Sequence, residues 1–346
     1  MSPLRTAYTL VDRSLGRASE EEWEVIEPAR IDFWKRALHS LHSRSFEHDG
    51  VAITVDLDWS PYERRLLKHH NLMAPVRRGE NADPKWFEKL NRPLRLEASC
   101  SIAGKNKLSR HSWYPEFFLR YYLYEIFVCA NLACPGSADF LGLTVEPQDR
   151  KRGDKLGLSA YYFDKWFVAS IRGQTPKALT LGPADVVSWV HAVNPIVTQR
   201  AETGTQRALF AMYHMCQSDG HIDFVVWLFT ALESLLSTRV GENFSGMVRR
   251  ASIVLGLDAA EQKRLSRELR KLYELRSAFV HGGYAVAHPL HYETIDPRLD
   301  KDYAEVVQLS TYGFSVLAAI LQAMIAGKRH SLTFEERLIS GDGSAA

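Results

Sequence analysis

The change in apolar spacing near Gly182 constrains the fold of this chain more than any other feature. Before it, helical spacing over residues 20–45 and from Pro115 alternates with β-rich runs that begin at Gly50, Arg92, Phe140 and Leu156. After it, strand signals disappear and amphipathic helices follow one another. The pattern predicts an α+β protein, with a mixed α/β N-terminal domain over residues 1–200, an all-α helical bundle over 205–330 and a tail over 331–346.

Composition fits a globular protein and does not identify its partners. The 346 residues are 46% hydrophobic and 24% charged, enough for about two domains. A formal charge of +2 is too small to indicate nucleic-acid binding by itself, so any basic surface has to be local. Four cysteines without C-x2-C pairing predict buried free thiols of a reducing cytoplasm: Cys100, Cys129, Cys134 and Cys216.

No segment is expected to enter a membrane. The N-terminus lacks the apolar core of a signal peptide. The longest apolar run, near residues 316–326, is expected to be too short and too interrupted to span a bilayer. We therefore expect a cytoplasmic protein without a membrane partner.

A long polar helix is predicted to end in the sequence RSAFVHGG, residues 276–283. Asp258 is its expected N-cap, and Glu261 stands where a capping box requires an acidic residue. Gly282 is its expected stop, because glycine readily adopts the left-handed conformation that follows a helix.

Arg276 and His281 are the candidate reactive pair. Residues five apart in an ideal α-helix point about 140° away from each other, so the two side chains meet only if the helix ends here. The glycines at 282 and 283 permit that end, and His281 is expected to swing toward the face of Arg276. The helix C-terminus favours a protonated imidazole and the guanidinium opposes it, which suits proton transfer.

A permanent cation with a titratable imidazole, and no carboxylate cluster or metal-ligand spacing, fits phosphodiester chemistry. His281 would act as general base or acid on a ribose 2′-OH or the leaving 5′-oxygen. Arg276 would stabilise the charge on the phosphorus oxygens. This chemistry needs no metal or cofactor, and its need for the 2′-OH selects RNA over DNA.

A purely structural interpretation of this pair remains open. Arg276 would then pair with an acidic side chain, and His281 would cap helix carbonyls. The same spacing occurs twice more in ERRLLKHH, where no terminator follows and a charged amphipathic face is expected: Arg64 with His69, and Arg65 with His70.

Two stretches together resemble the Apea-like HEPN domain family. They are DFVVWLFTALESLLS, residues 223–237, and LYELRSAFVHGG, residues 272–283. The matching positions are Ala231, Leu232, Glu233, Leu235 and Leu236 in the first stretch, and Tyr273, Arg276, Ser277, Val280, His281 and Gly282 in the second. The resemblance covers roughly residues 205–330 and does not extend to the first 200.

The resemblance implies a HEPN helical bundle that forms a homodimer, with both Arg-x4-6-His motifs facing one cleft. It makes Arg276 and His281 the catalytic pair of a metal-independent endoribonuclease that leaves a 2′,3′-cyclic phosphate. By family analogy the protein is a toxin or abortive-infection effector of prokaryotic anti-phage defence, with a sensing or regulatory N-terminal domain. The alternative is a noncatalytic RNA- or nucleotide-binding HEPN module, because several HEPN domains bind without cutting.

Supporting roles are assigned to four neighbours of the pair. Glu233 is expected to lie inward as the partner of Arg276, in a structural or supporting role. Tyr273 is expected to pack in the core rather than donate to phosphate. Ser277 and Gly282 complete the motif, and His288 and His291 are loop histidines that would at most line the cleft.

Basic and acidic groups elsewhere are interpreted mainly as solvated surface. Possible RNA contacts are Arg249, Arg250 and Lys271, the last from a series that includes Arg264, Arg267 and Arg270. Arg150, Lys151 and Arg152 are expected in a hairpin loop, with phosphate contact as the alternative. Asp56, Asp58 and Glu97 lie in strand-like runs without a nuclease lysine at a persuasive spacing, so a second enzyme site there has little support.

Overall fold

The structure is a computed structural model that describes residues 4–12, 21–80, 92–147, 153–217, 222–237, 244–288, 290 and 294–335. Its described part contains six β-strands and ten α-helices, and the helices dominate the C-terminal half. The predicted α+β class is therefore confirmed.

The first half of the chain builds one antiparallel sheet with helices around it. The strands are β1 (Leu4–Asp12), β2 (Ser43–His48), β3 (Val51–Leu57), β4 (Leu94–Ala103), β5 (Thr144–Pro147) and β6 (Asp154–Lys155). They lie in the order β2-β3-β4-β1-β5-β6. The helices of this half are α1 (Trp23–Ala37), α2 (Ser60–Arg77), α3 (Trp113–Ala133) and α4 (Tyr161–Ile171).

The second half consists of six helices packed around the last of them. These are α5 (Pro183–Val193), α6 (Gly204–Gln217), α7 (Asp223–Leu235), α8 (Phe244–Leu255), α9 (Ala259–Val280) and α10 (Arg298–Ala326). Helix α10 contacts α7, α8 and α9. Gly313 makes the close approach possible, because a Cβ there would lie 2.3 Å from Leu228 Cδ2 and 2.8 Å from Leu272 Cδ1.

One apolar core contains side chains from both halves of the chain, so it continues across the predicted boundary at 201–205. The ring centroid of Phe314 in α10 lies 4.7 Å from that of Phe163 and 5.5 Å from that of Tyr162, and both of these residues are in α4. Tyr162 also lies 4.4 Å from Phe224 in α7. All four cysteines are free and buried, as predicted.

Two local predictions are wrong, and one strand was not predicted. The run from Leu156 is helical α4 over 161–171, because its buried positions fall at helical rather than alternating spacing. Helix α1 ends at Ala37 instead of continuing to residue 45, and β2 follows it. β1 is a strand that the sequence did not predict, and it pairs along its whole length with β4.

Helix α10 contradicts the expectation that the longest apolar run is too short to span a bilayer. By length and composition, its 29 residues are enough to cross a membrane. However, 78% of its most apolar 18-residue window is buried inside the protein. The helix thus forms the centre of the bundle, and its apolar surface is covered by α4, α7, α8 and α9.

Candidate functional site

Helix α9, which carries the candidate pair, begins at the predicted capping box. Asp258 Oδ1 accepts a hydrogen bond of 2.8 Å from the backbone N–H of Glu261. The Glu261 carboxylate in turn accepts one of 3.2 Å from the backbone N–H of Asp258. These bonds satisfy amide groups that have no partner within the helix, and they fix where it starts.

The other end of α9 is a glycine cap, as predicted. Gly282 has φ +76°, in the left-handed region. Gly283 donates to the Ala278 carbonyl over 2.7 Å and Gly282 to the Phe279 carbonyl over 3.4 Å, which is the Schellman pattern. His281 is the C-cap residue, and its N–H still donates to the Ser277 carbonyl over 3.0 Å.

Substituting Gly282 by alanine is expected to destabilise the protein by about 1 kcal/mol, because a Cβ strains the left-handed backbone. Gly283→Ala is the matched control, since its Cβ would meet only ordinary contacts of 3.7 Å or more. Urea unfolding of both variants measures the difference. Equal stability of the two would contradict this account of the cap.

Arg276 lies on the inward face of α9. Leu269 and Leu272 of this face are buried, and Arg276 follows them at helical spacing. Its Nη1 lies 3.5 Å from Glu233 Oε1, and its guanidinium carbon lies 5.6 Å from the ring centroid of Phe229. Its Nε is buried without a hydrogen-bond partner, so the guanidinium keeps unused donor capacity.

His281 lies on the opposite, solvent-exposed face. It follows Lys263 by five turns of about 3.6 residues, so it shares the outward face with Lys263, Arg267 and Arg270. No hydrogen bond or ion pair joins His281 to Arg276 within the described part of the chain. The expectation that His281 swings toward the face of Arg276 is therefore wrong within a single chain, because its backbone remains in helical register.

Two supporting residues are more exposed than predicted. The Glu233 side chain pairs with Arg276 but is 41% exposed, so it does not lie inward. The Tyr273 ring packs against Phe229 at 5.7 Å and Phe244 at 5.5 Å, yet the residue remains 36% exposed. Both side chains line the surface around Arg276 rather than the core.

The position of Arg250 contradicts the prediction that it belongs to a solvated basic surface. It is 7% exposed and therefore does not belong to a solvated face. Its Nη1 donates to the carbonyls of Leu236 and Ser237, both over 3.0 Å, and its guanidinium carbon lies 5.2 Å from the ring centroid of Phe334. Arg250 thus ties the end of α7 to the C-terminal segment, whereas its neighbour Arg249 is exposed.

Replacing Arg250 by alanine is expected to lower the free energy of unfolding by about 2 kcal/mol. The change removes two charged hydrogen bonds and leaves carbonyls at the end of α7 without their donor. Arg249→Ala removes the same charge from an exposed position and is expected to change stability by less than about 0.5 kcal/mol. Thermal or urea unfolding compares the two, and similar values for both would be evidence against the structural role of Arg250.

A basic groove of about 610 Å³ lies between α8 and α9. Its cationic lining residues are Lys263, Arg267 and Arg270, and Ser245 and Ser266 add hydroxyl groups. Sequence reasoning did not single out Lys263, although the 263, 267 and 270 spacing places these three side chains on one helical face. Lys271, which was predicted, does not line the groove; it forms an ion pair of 3.1 Å with Glu268, and Arg267 of the groove pairs with the same carboxylate at 2.8 Å.

The second Arg-x4-His stretch has structural partners. In α2, Arg65 donates to the Arg92 carbonyl over 2.7 Å. His70 and Arg77 each lie 2.6 Å from one oxygen of the buried Glu27 carboxylate. These contacts fix α2 against α1, whereas the sequence predicted only a charged amphipathic face.

The remaining candidates lie apart from this region. Asp56 accepts from the Ser43 hydroxyl over 2.8 Å, and Asp58 accepts from the Ser60 N–H over 2.9 Å. His288 is exposed, and its Nδ1 accepts the Leu290 N–H over 3.0 Å. Among the described residues no group of three or more His, Cys, Asp or Glu side chains is arranged to hold a metal ion. Four predicted residues lie outside the described ranges: Arg150, Lys151, Arg152 and His291.

Comparison with known proteins adds no relative. No protein-family model matches the chain, and neither the curated proteins nor the solved structures give a match. The resemblance to the Apea-like HEPN family thus depends on the residues of its two motifs. The structure places those motifs side by side, with Glu233 of α7 against Arg276 of α9.

Proposed function

We propose that this protein is a metal-independent endoribonuclease that cleaves RNA by attack of a ribose 2′-OH. The observation that carries the proposal is the capped end of α9. It presents an exposed imidazole at His281 and, nearby on the inward face, a guanidinium at Arg276 with an unbonded buried Nε. A toxin or abortive-infection role in prokaryotic defence, in the cytoplasm, belongs to the same proposal through the family resemblance.

The proposed reaction uses one proton acceptor and one permanent cation. His281 takes the proton of the 2′-OH, and the resulting oxygen attacks the adjacent phosphorus. The bond to the 5′-oxygen breaks, and that oxygen takes a proton from water as it leaves; His281 then returns the proton it accepted to the solvent. Arg276 stabilises the negative charge on the non-bridging oxygens, and the products are a 2′,3′-cyclic phosphate and a 5′-hydroxyl.

A second copy of the chain completes the proposed site. Arg276 and His281 leave α9 on faces about 140° apart. A single phosphate can therefore contact both kinds of group most directly when the α9 ends of two copies of the chain meet. Large apolar side chains are exposed around this end: Val280 is 56% exposed, Val286 72%, Leu290 87%, Ile295 83% and Tyr303 57%. Covering them with a partner is favourable, which supports a homodimer.

The basic groove provides a path for the RNA backbone. Lys263, Arg267 and Arg270 lie on the same face as His281, and Arg270 is about 16 Å from it along the helix axis. Lysine and arginine side chains in a row attract phosphates independently of sequence. RNA bound along this face would pass the exposed imidazole.

The second candidate function is a noncatalytic RNA- or nucleotide-binding module. It is favoured by the contacts of Arg276, whose guanidinium already lies against Glu233 and Phe229. In this case the groove binds RNA, and the N-terminal half carries a regulatory role without cleavage.

Incubation of the purified protein with total RNA in excess EDTA separates the two functions. The endonuclease predicts cleavage that persists in EDTA and disappears in the Arg276→Ala variant. The binding module predicts a gel shift with intact RNA for both proteins. Cleavage that EDTA abolishes would contradict the metal-independent mechanism.

A further inference from the structure

A cavity between α3 and α6 is lined by two residues whose buried oxygens have no hydrogen-bond partner in the protein. Its volume is about 400 Å³, within the range of small-molecule sites. Glu125 of α3 and Asn194, directly after α5, both line it and are only 2% and 1% exposed. Neither carboxylate oxygen of Glu125 nor Oδ1 of Asn194 has a hydrogen-bond partner in the protein. Such groups are costly to bury without a donor.

Arg44 compensates the charge of this pocket without satisfying its oxygens. Its Nε lies 3.4 Å from Glu125 Oε2 in an ion pair that is not a hydrogen bond, and its Nη2 donates to the backbone carbonyl of Asn194 over 3.3 Å. Burial raises the pKa of Glu125 to about 7, and Arg44 opposes that shift. Arg44 therefore supplies positive charge to the pocket, but the oxygens of Glu125 and Asn194 Oδ1 still have no hydrogen-bond donor.

Aromatic rings form the walls around these oxygens. The lining rings are Phe117, Tyr121, Tyr124, Phe210 and Tyr213, and each is half-buried. Tyr124 of α3 and Tyr213 of α6 meet edge to face at 5.1 Å. Side chains of this kind stack on planar rings, and His214 and Gln217 provide an exposed polar rim.

We propose that this cavity binds a planar heterocycle with adjacent N–H donors, as on the Watson–Crick edge of guanine. When the ring enters, the Glu125 carboxylate, whose oxygens have almost no exposed surface in the empty cavity, turns toward it and accepts the donors. The aromatic side chains stack on the ring, which is how bases removed from a stack are read. An organic cation fits less well, because Arg44 already lies beside the carboxyl group. The ligand would contact α3 and α6, one helix from each half, and this inference does not depend on RNA cleavage.

Calorimetric titration of the full chain with three nucleosides tests the ligand chemistry. Guanosine is expected to bind most tightly. Inosine lacks the exocyclic amino group and is expected to bind about tenfold more weakly, because one donor to a buried acceptor is lost. Adenosine presents an acceptor where guanine has N1–H, and it is expected to bind at least about 100-fold more weakly.

Variants locate the binding site. Glu125→Gln keeps the shape of the side chain and is expected to weaken guanosine binding at least about tenfold. Tyr124→Leu removes one stacking ring and is expected to weaken it about fivefold. Glu97→Gln, at an exposed position on β4, is the control and should leave affinity unchanged. Equal binding of the three nucleosides, preferential binding of choline, or no guanosine binding at millimolar concentration would each overturn the inference.

Discussion

Replacing His281 by alanine is expected to lower the rate of RNA cleavage by about 10²- to 10⁴-fold, the usual contribution of a positioned general base or acid. The side chain is exposed and makes no hydrogen bond within the described part of the chain, so its removal leaves the core intact. We expect the free energy of unfolding to change by less than about 0.5 kcal/mol. Any growth toxicity of the expressed protein should disappear with cleavage.

His288→Ala is the matched control for this experiment. It removes an exposed imidazole from the loop that follows α9, at a position outside the motif. Cleavage by this variant should stay close to that of the native protein. If His281→Ala retained full activity, or if both variants lost it equally, His281 would not be the proton-transfer group.

Replacing Arg276 by alanine is expected to reduce cleavage by about 10²- to 10³-fold, because the phosphorus oxygens lose a fixed cation in the transition state. Its ion pair with Glu233 is partly exposed, at 29% and 41% for the two side chains, and such pairs contribute at most about 1 kcal/mol to stability. Single-turnover cleavage rates and urea unfolding, measured on the same protein samples, compare the two effects.

Two further variants distinguish catalysis from packing at this position. Arg276→Lys keeps the charge but loses the planar fork, so only partial activity should return. Glu233→Gln removes the ion pair and keeps the guanidinium, so cleavage should persist. A large loss of stability in Arg276→Ala, with cleavage reduced only in proportion to the unfolded fraction, would assign Arg276 a structural role.

The helix that carries the candidate pair was predictable because its signals are local. Asp258 and Glu261 mark its start, and Gly282 marks its end, each through backbone hydrogen bonds within a few residues. The pairing of Arg276 with Glu233 was also predicted, but from the expectation that Glu233 is buried, whereas its side chain is 41% exposed. The two helix caps depend on chain neighbours and need no knowledge of tertiary packing, whereas the ion pair joins two helices.

The missed features depend on distant contacts. β1 gains its place in the sheet from pairing with β4, which lies some ninety residues away; the alternation of the buried Tyr8 and Leu10 is a local strand signal that the prediction did not use. Arg250 looks like a surface cation beside Arg249, and only the arrangement of α7 and the C-terminal segment buries it. The face of His281 depended on whether the helical register continues through the cap, which spacing alone does not determine.

Cleavage of one defined RNA in excess EDTA, with the ends of the products identified, tests the central claim most directly. We predict cleavage by the native chain that leaves 2′,3′-cyclic phosphate and 5′-hydroxyl ends. A 2′-deoxy substitution at the cut site should block it, as should His281→Ala. Intact RNA under these conditions, or products with 3′-hydroxyl and 5′-phosphate ends, would contradict the proposal that Arg276 and His281 cleave RNA through the 2′-OH.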